Sequence, residues 1–423
     1  MKSKIEFFLK SRIFINSTWL FILQIFNTIL PLITLPYVTR ILGASNYGVF
    51  SLSLNWITYF QIIVEYGFGF TGARKVSIGN TERNKLNLQK LYSNIITARI
   101  ILLFIAYILM NSISIFTHIS INQYISMNIL FMMVIGVTFQ LTWLFQGMQN
   151  MKIITIINVI SRVFSVILIF LLVKEQKHIY VYCFCYSITF ILSAFIGIIY
   201  ANKKYGLKIK VNKITEVFLE IKDGWDMFIS QAISKIFSGF GITILGFVTT
   251  SNMVGVYSAI SKIPFVLILF FSPINQALFP YISIQFNNSF NKGENIVKKF
   301  LKYTILGFCT VGLGIIFFRE EIVNIIFGEN YQEYADLIIP LIIWTIISIV
   351  NNFLGPQYLV ASGNSRLYSK AFSISIMITI LLNITLGYKY NIYGIAFASV
   401  LGEFLLMILL IFNIYVNLKR KDL

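Results

Sequence analysis

Seven charged residues stand inside long apolar stretches of the chain: Arg99, Arg162, Lys235 and Lys262, with Glu65, Asp226 and Glu403. A charge at the centre of a membrane helix costs at least about 2.5–3.5 kcal/mol, so one that persists there usually faces a partner or a water-filled cavity. The competing reading is a long side chain that snorkels to the interface, or an ion pair near the end of a span. That reading is strong for Asp226, at the start of a span, and for Glu65, toward the end of one. Arg99 lies within reach of the interface, whereas Lys235 and Lys262 fall near the middle of their stretches, and Arg162 is similar. Four cations against at most three carboxylates leave such a cavity basic. A basic cavity suits an anion, and phosphate and pyrophosphate are the obvious large anions at a membrane surface. Arg40, between two apolar stretches, joins the four as a candidate substrate-binding cation. Glu65 and Glu403 are the candidates for coupling to H⁺ or Na⁺.

Other chemistry finds no support. There is no G-x-x-x-x-G-K-[ST] phosphate loop, and no nucleophile paired with a base. Cys183 and Cys185 form C-x-C, Cys309 stands apart, and His118 and His178 are isolated, so no metal-ligand spacing emerges. No large loop carries the paired carboxylates that sugar chemistry would need. The chain reads as neither an enzyme nor a protein with a bound cofactor.

The elements that must position these charges are membrane spans. Apolar residues make up 57% of the 423 and charged residues 12%, where a soluble domain averages roughly 45–50% and about 25%. That apolar surface has a membrane as its natural solvent. With roughly 20 residues needed per crossing, about twelve spans result: 14–38, 47–70, 92–113, 124–146, 154–173, 179–200, 225–249, 253–282, 302–318, 336–361, 369–387 and 392–416. The apolar run after the basic stretch Met1 to Arg12 is longer than a signal peptide's apolar core and lacks a small-residue cleavage site, so it reads as a retained first span.

The net charge of +18 is read as topology, not as a nucleic-acid surface. With the N-terminus in the cytoplasm, the tails and even-numbered loops hold 25 of the 34 Lys and Arg, while the odd-numbered loops hold five, Arg40, Lys174, Lys177, Arg319 and Lys389. This asymmetry places both termini inside. The longest loop, near 201–224, carries Ile214, Val217, Phe218 and Ile221 at helical spacing with a basic opposite face, which suggests an interfacial helix. A short outer helix is expected near 319–335.

Two short motifs recur about half a chain apart. Tyr47-Gly48-Val49-Phe50-Ser51 resembles Val254-Gly255-Val256-Tyr257-Ser258, and Trp143-Leu144-Phe145-Gln146-Gly147 resembles Tyr358-Leu359-Val360-Ala361-Ser362-Gly363. They open and close equivalent spans. The expected organisation is an N-terminal six-helix lobe over 1–205, a cytoplasmic interfacial linker helix over 206–224 and a C-terminal six-helix lobe over 225–423, a known transporter plan. Pro31 and Pro36 in span 1, and Pro264, Pro273 and Pro280 in span 8, mark helices that bend, whether as static kinks or as moving parts.

A family resemblance rests on particular residues. Asn27, then Leu35-Pro36-Tyr37-Val38-Thr39-Arg40-Ile41-Leu42-Gly43, Tyr47-Gly48, Glu65-Tyr66-Gly67-Phe68-Gly69 and Ala73-Arg74 resemble the opening of Wzx-type polysaccharide flippases. Trp143 to Met151, with Gly147 inside it, Phe279-Pro280 and Ile326 to Tyr331 fit the same family, part of the multidrug, oligosaccharidyl-lipid and polysaccharide exporter superfamily. Glu65 departs from the Asp found in many relatives but keeps the charge. The resemblance implies an all-α polytopic, MATE-like transporter with two six-helix lobes in a V around a cationic cavity. It implies alternating-access transport of undecaprenyl-pyrophosphate-linked oligosaccharide repeat units from the inner to the outer leaflet of the bacterial cytoplasmic membrane, for O-antigen or capsule. The implied partners are this lipid-linked substrate, membrane lipids, a polysaccharide polymerase and a chain-length regulator. Alternatives are a drug/cation antiporter or a lipid II-type flippase of the same superfamily, and a membrane glycosyltransferase or polymerase.

Overall fold

The computed structural model describes residues 12–78, 85–117, 119–210 and 212–419. The basic stretch over 1–11, His118, Arg83, Arg420 and Lys421 lie outside them. Every regular element among the described residues is helical. That agrees with the apolar composition, because backbone groups in hydrocarbon must be satisfied within their own segment. The chain divides into two compact units, Met1–Leu42 with Val49–Gly239, and Gly43–Gly48 with Phe240–Leu423.

The first unit is built from α1 (Arg12–Glu65) apart from Gly43–Gly48, α2 (Phe68–Ile78), α3 (Lys85–Phe116), α4 (Ile121–Phe139), α5 (Thr142–Gly147), α6 (Met151–Leu172), α7 (Ile179–Tyr205) and α8 (Ile214–Val248) as far as Gly239. Polar side chains bonded to neighbouring backbones fix which helix lies beside which. Along α1 and α6, Thr155 Oγ1 donates to Trp19 O at 2.8 Å, Arg162 Nη1 to Asn27 O at 3.2 Å, and Tyr37 Oη to Val173 O at 2.8 Å. Residue numbers rise together, so the first half of α1 runs parallel to α6. On α4 and α7, Tyr180 meets Asn122, Ser187 meets Ile129, and Ser193 meets Gln140, again a parallel pair.

These directions decide the span count. Ten helical runs among the described residues are long and apolar enough to cross a membrane. If α1 crossed once, strict up-and-down threading would set it antiparallel to α6. Its parallel course requires a reversal within α1, and Gly43 (φ 72°, ψ 168°) is the non-helical residue that provides it. In the second unit, α15 (Ser365–Lys419) folds back at Asn391 (φ 50°, ψ −127°). Ser375 Oγ donates to Gly402 O at 2.8 Å and Asn413 Nδ2 to Leu367 O at 3.3 Å, the pattern of an antiparallel hairpin. With both runs counted twice, the ten runs give twelve span-length segments among the described residues, the number expected.

The second unit also holds α9 (Ser251–Ile260), α10 (Lys262–Asn288), α11 (Phe290–Phe317), the short α12 (Arg319–Phe327) and α13 (Glu329–Gln332), and α14 (Ile338–Asn352). α14 continues as a wide-turned π segment, Phe353–Val360, around Pro356, whose missing N–H the looser turn accommodates. Expected span 8 is interrupted at Ser261, and expected span 4 at Gln140 and Leu141.

The linker differs from the expectation of a separate interfacial helix. Residues 206–210 are non-helical, and the helix that begins at Ile214 continues to Val248 without interruption. Gly224 does not end it, because the glycine is needed there for contact: a Cβ would lie 3.1 Å from Tyr66 Cδ1 and from the Tyr66 carbonyl oxygen. Tyr66 also stacks on Phe228, ring centroids 4.6 Å apart. Val217 is fully buried while Ile214 and Phe218 stay exposed.

Candidate functional site

The two arginines buried or half-buried in the first unit both serve interrupted helices. Arg99, on α3, is 4% exposed. Its Nη1 donates to Gln140 O at 2.9 Å and to Val137 O at 3.2 Å. They lie at the end of α4, where Val137 O also accepts from the capping Gln140 N–H at 3.2 Å and Gln140 O lies beyond the last helical residue. The guanidinium lies 5.8 Å from the centroid of the Phe68 ring, with Glu65 in electrostatic reach. Arg99 thus faces protein where a water-lined cavity was expected, because the helix break at Gln140 supplies carbonyls that a donor must satisfy.

Arg162, on α6, is half-exposed. It donates to the carbonyl of Asn27, four residues before Pro31. Proline has no N–H, so this carbonyl has lost its helical partner, and Arg162 replaces it. Thr34 and Thr39 bond back onto their own helix, Thr34 Oγ1 donating to Leu30 O and Pro31 O, and Thr39 Oγ1 to Leu35 O and Pro36 O. Arg162 still presents guanidinium surface to solvent and retains further donors for a ligand.

The remaining cations are exposed. Lys235 stands on α8, in the first unit. Lys262 was expected deep within a span, but it is the first residue of α10, immediately after the break, with Nζ 6.0 Å from the Phe265 ring centroid. Arg40 is exposed three residues before the Gly43 reversal, and Arg74 is exposed on α2.

The two candidate coupling carboxylates sit in polar company. Glu65 Oε1 accepts from Gln61 Nε2 at 2.7 Å. Glu403 Oε2, on α15, accepts from Asn351 Nδ2 at 2.6 Å, and the same amide reaches the Glu403 main-chain oxygen at 2.8 Å.

The motif residues build scaffold. Tyr66 (φ 48°) and Gly67 (φ 90°) turn the chain between α1 and α2, and a Cβ on Gly67 would lie 2.7 Å from Met227 Cβ. Trp143, 1% exposed, packs on Gly72, where a Cβ would come 2.8 Å from its ring. A Cβ on Gly147 would meet Val76 and the Ala73 carbonyl. Gly67, Trp143 and Gly147 therefore seat α2 between α5 and α8, and Pro36 and Gly43 shape α1.

Several buried or paired residues escaped a search for charges in apolar stretches. Lys75 bridges Glu220 at 2.8 Å and Asp223 at 2.6 Å, and Lys90 bridges Glu216 at 2.6 Å, fastening the start of α8 to α2 and α3. Asn55 Nδ2 donates to Gly239 O at 3.3 Å, and Gln357 Nε2 to Asn275 Oδ1 at 2.6 Å. The available signal was uncharged amides within apolar spans. A concavity in the second unit, lined by Glu320, Glu329, Gln332, Glu333 and Asp336, is acidic and does not suit an anion. Beside it the hydrogen bond to Asp336 holds the Arg319 guanidinium above its ordinary range.

Comparison with known proteins supplies the family. Residues 13–286 match the model of the family described as polysaccharide biosynthesis protein. The chain belongs to this polysaccharide biosynthesis protein family. A relative from Shigella dysenteriae, named "Putative O-antigen transporter", is 24% identical over 402 residues, covering 94% of this chain and 98% of the relative. A protein of the same name from Escherichia coli (strain K12) is 25% identical, covering 94% and 95%. Among solved structures, the lipid II flippase MurJ in an inward closed conformation matches with a TM-score of 0.70 at 16% identity, covering 95% of this family member and 87% of MurJ. An inward-facing multidrug resistance MATE family transporter of the MOP superfamily matches at 0.65 and 14% identity, covering 93% and 99%. The fold of this polysaccharide biosynthesis family member is therefore that of MurJ and the MATE transporters, as the motifs implied.

Proposed function

We propose that the chain is a flippase that moves undecaprenyl-pyrophosphate-linked oligosaccharide repeat units from the inner to the outer leaflet of the bacterial cytoplasmic membrane, for a surface polysaccharide. The observation that carries this reading is the end-to-end match to proteins named as O-antigen transporters, 94% of this chain against 98% of the relative. The matched fold is one that other transporters and a lipid flippase use. The mechanism is alternating access through a water-filled, cation-lined cavity. Arg162, Lys235, Lys262 and Arg40 are its diphosphate ligands. Arg99 is set apart from them, its Nη1 engaged by Val137 O and Gln140 O. Glu403, held by Asn351, is the first candidate for H⁺ or Na⁺ coupling and Glu65 the second. Both termini lie in the cytoplasm, as the lysine and arginine asymmetry indicates. A polymerase and a chain-length regulator act on the delivered product.

The test is deletion in the native host with leaflet-resolved measurement of lipid-linked repeat units. Units are expected to accumulate on the cytoplasmic leaflet. Delivery to the outer leaflet at the normal rate, with no second flippase present, overturns the proposal.

A further inference from the structure

The end of α7 carries lysines that substrate transport does not use. Lys203, Lys208, Lys210 and Lys213 are exposed, and no Asp or Glu occurs from Ala201 to Thr215. Among the described residues none of the four joins an ion pair; the bridges in this region are made by Lys75 and Lys90.

Gly206, Lys208, Lys210 and Asn212 are hydrogen-bonded to the helices beside them. Gly206, at φ 69°, ends α7 with its N–H on Asn202 O, and Leu207 is buried. Gln89 of α3 pairs with both main-chain groups of Lys208, donating to its carbonyl and accepting from its N–H at 3.0 Å, as a neighbouring strand would. The Lys210 N–H donates to Ser93 Oγ at 3.0 Å, and Asn212 Nδ2 donates to Asn94 Oδ1 at 2.7 Å. Lys208 and Lys210 are thus tied to α3 through their main chains, which lowers the ordering that a ligand must impose.

Their neighbours are apolar and exposed. Ile209 is 48% exposed, Ile214 53%, Phe218 57% and Trp225 52%. Lys204 Nζ sits 5.3 Å from the Tyr200 ring centroid and 5.6 Å from that of Tyr205. Aromatic rings, exposed apolar side chains and lysines mixed in this way belong at the boundary between acyl chains and water.

We propose that Lys203, Lys208, Lys210 and Lys213 form a binding site for the headgroups of anionic phospholipids, with Ile209, Ile214 and Phe218 seated among the acyl chains. Lysine ammonium groups attract phosphodiesters as point charges and do not demand one fixed headgroup geometry. Juxtamembrane lysines gain affinity from an anionic leaflet roughly in proportion to their number. The site selects phosphatidylglycerol or cardiolipin over zwitterionic lipid.

The experiment is native mass spectrometry of the full chain in detergent with added phosphatidylglycerol, phosphatidylcholine or undecaprenyl pyrophosphate. The unaltered chain is expected to retain phosphatidylglycerol in preference to phosphatidylcholine. K208Q/K210Q/K213Q is expected to lower that retention on the order of a hundredfold, with thermal unfolding monitored to establish that the variant is folded. K208R/K210R/K213R keeps the charge and should keep the lipid. K292Q/K299Q/K302Q removes equal charge elsewhere and should also keep it. Full retention by the first variant, equal loss in the last, or loss of undecaprenyl pyrophosphate in place of phosphatidylglycerol each overturns the proposal.

Discussion

Gly48 and Gly255 meet backbone to backbone. A Cβ on Gly48 would collide with the Ser251 carbonyl and lie 2.8 Å from the Gly255 nitrogen. A Cβ on Gly255 would collide with the Ala44 carbonyl and lie 2.9 Å from the Gly48 nitrogen. The contact is reciprocal, each side offering a small residue and then, four positions later, a glycine, a spacing that lets membrane helices approach closely. Both glycines belong to the recurring motif read from the sequence, and all four residues of the contact lie within the second unit.

Neither side of this contact can yield, because the opposing atoms are main chain. G48A and G255A should each destabilise the protein by about 1–3 kcal/mol through overpacking. The midpoint of thermal unfolding in detergent measures it, and an unchanged midpoint in both variants would show that the close approach is not required.

Arg99 should behave as a structural residue. R99M keeps the volume roughly but removes the donor to the Gln140 carbonyl and leaves Val137 O with the Gln140 N–H alone. The expected cost is about 1–3 kcal/mol of stability. Transport per folded molecule should stay near normal; a selective loss of transport with an unchanged melting temperature would return Arg99 to the substrate site.

The limits of the sequence reading have physical causes. Hydropathy located the apolar runs because twenty-odd apolar residues have only one comfortable solvent. It ran through Gln140 and Leu141, since a two-residue helix break hardly changes the mean of a span, and so the carbonyls that Arg99 serves were invisible. Gly43 was readable as a motif residue suited to positive φ, and Asn391 falls in the break expected between 369–387 and 392–416, close to Gly394, where a Cβ would collide with the Leu386 carbonyl. Asn351 and Asn55 were missed because uncharged amides add nothing to a count of charges, yet in an apolar bundle they choose which helices pair. Lys262 shifted from mid-span to a helix start for the same reason as Arg99: the break at Ser261 leaves the span's hydropathy intact.

Arg162 and Pro31 should be energetically coupled. In the unaltered chain R162Q leaves the Asn27 carbonyl without a partner, because residue 31 offers no N–H. In a P31A background the alanine N–H can take that carbonyl, so the same R162Q substitution should cost about 1 kcal/mol less stability. A double-mutant cycle on thermal stability checks this. Equal costs in both backgrounds would mean that Arg162 does not act through the proline-freed carbonyl.

The exposed cations make the sharpest functional prediction. Lys235 and Lys262 are exposed in the first and second units respectively, so K235Q and K262Q should leave insertion and melting temperature close to normal. If they bind the diphosphate, each loses a charge-assisted hydrogen bond, worth about 1.5–3 kcal/mol, or roughly a tenfold or greater fall in transport. Arginine at either position should restore part of the rate by restoring the charge. The measurement is complementation of a deletion strain, scored by surface polysaccharide per folded protein. Normal polysaccharide from the double variant K235Q/K262Q would remove both residues from the substrate site and leave Arg162 and Arg40 as the cations to test next.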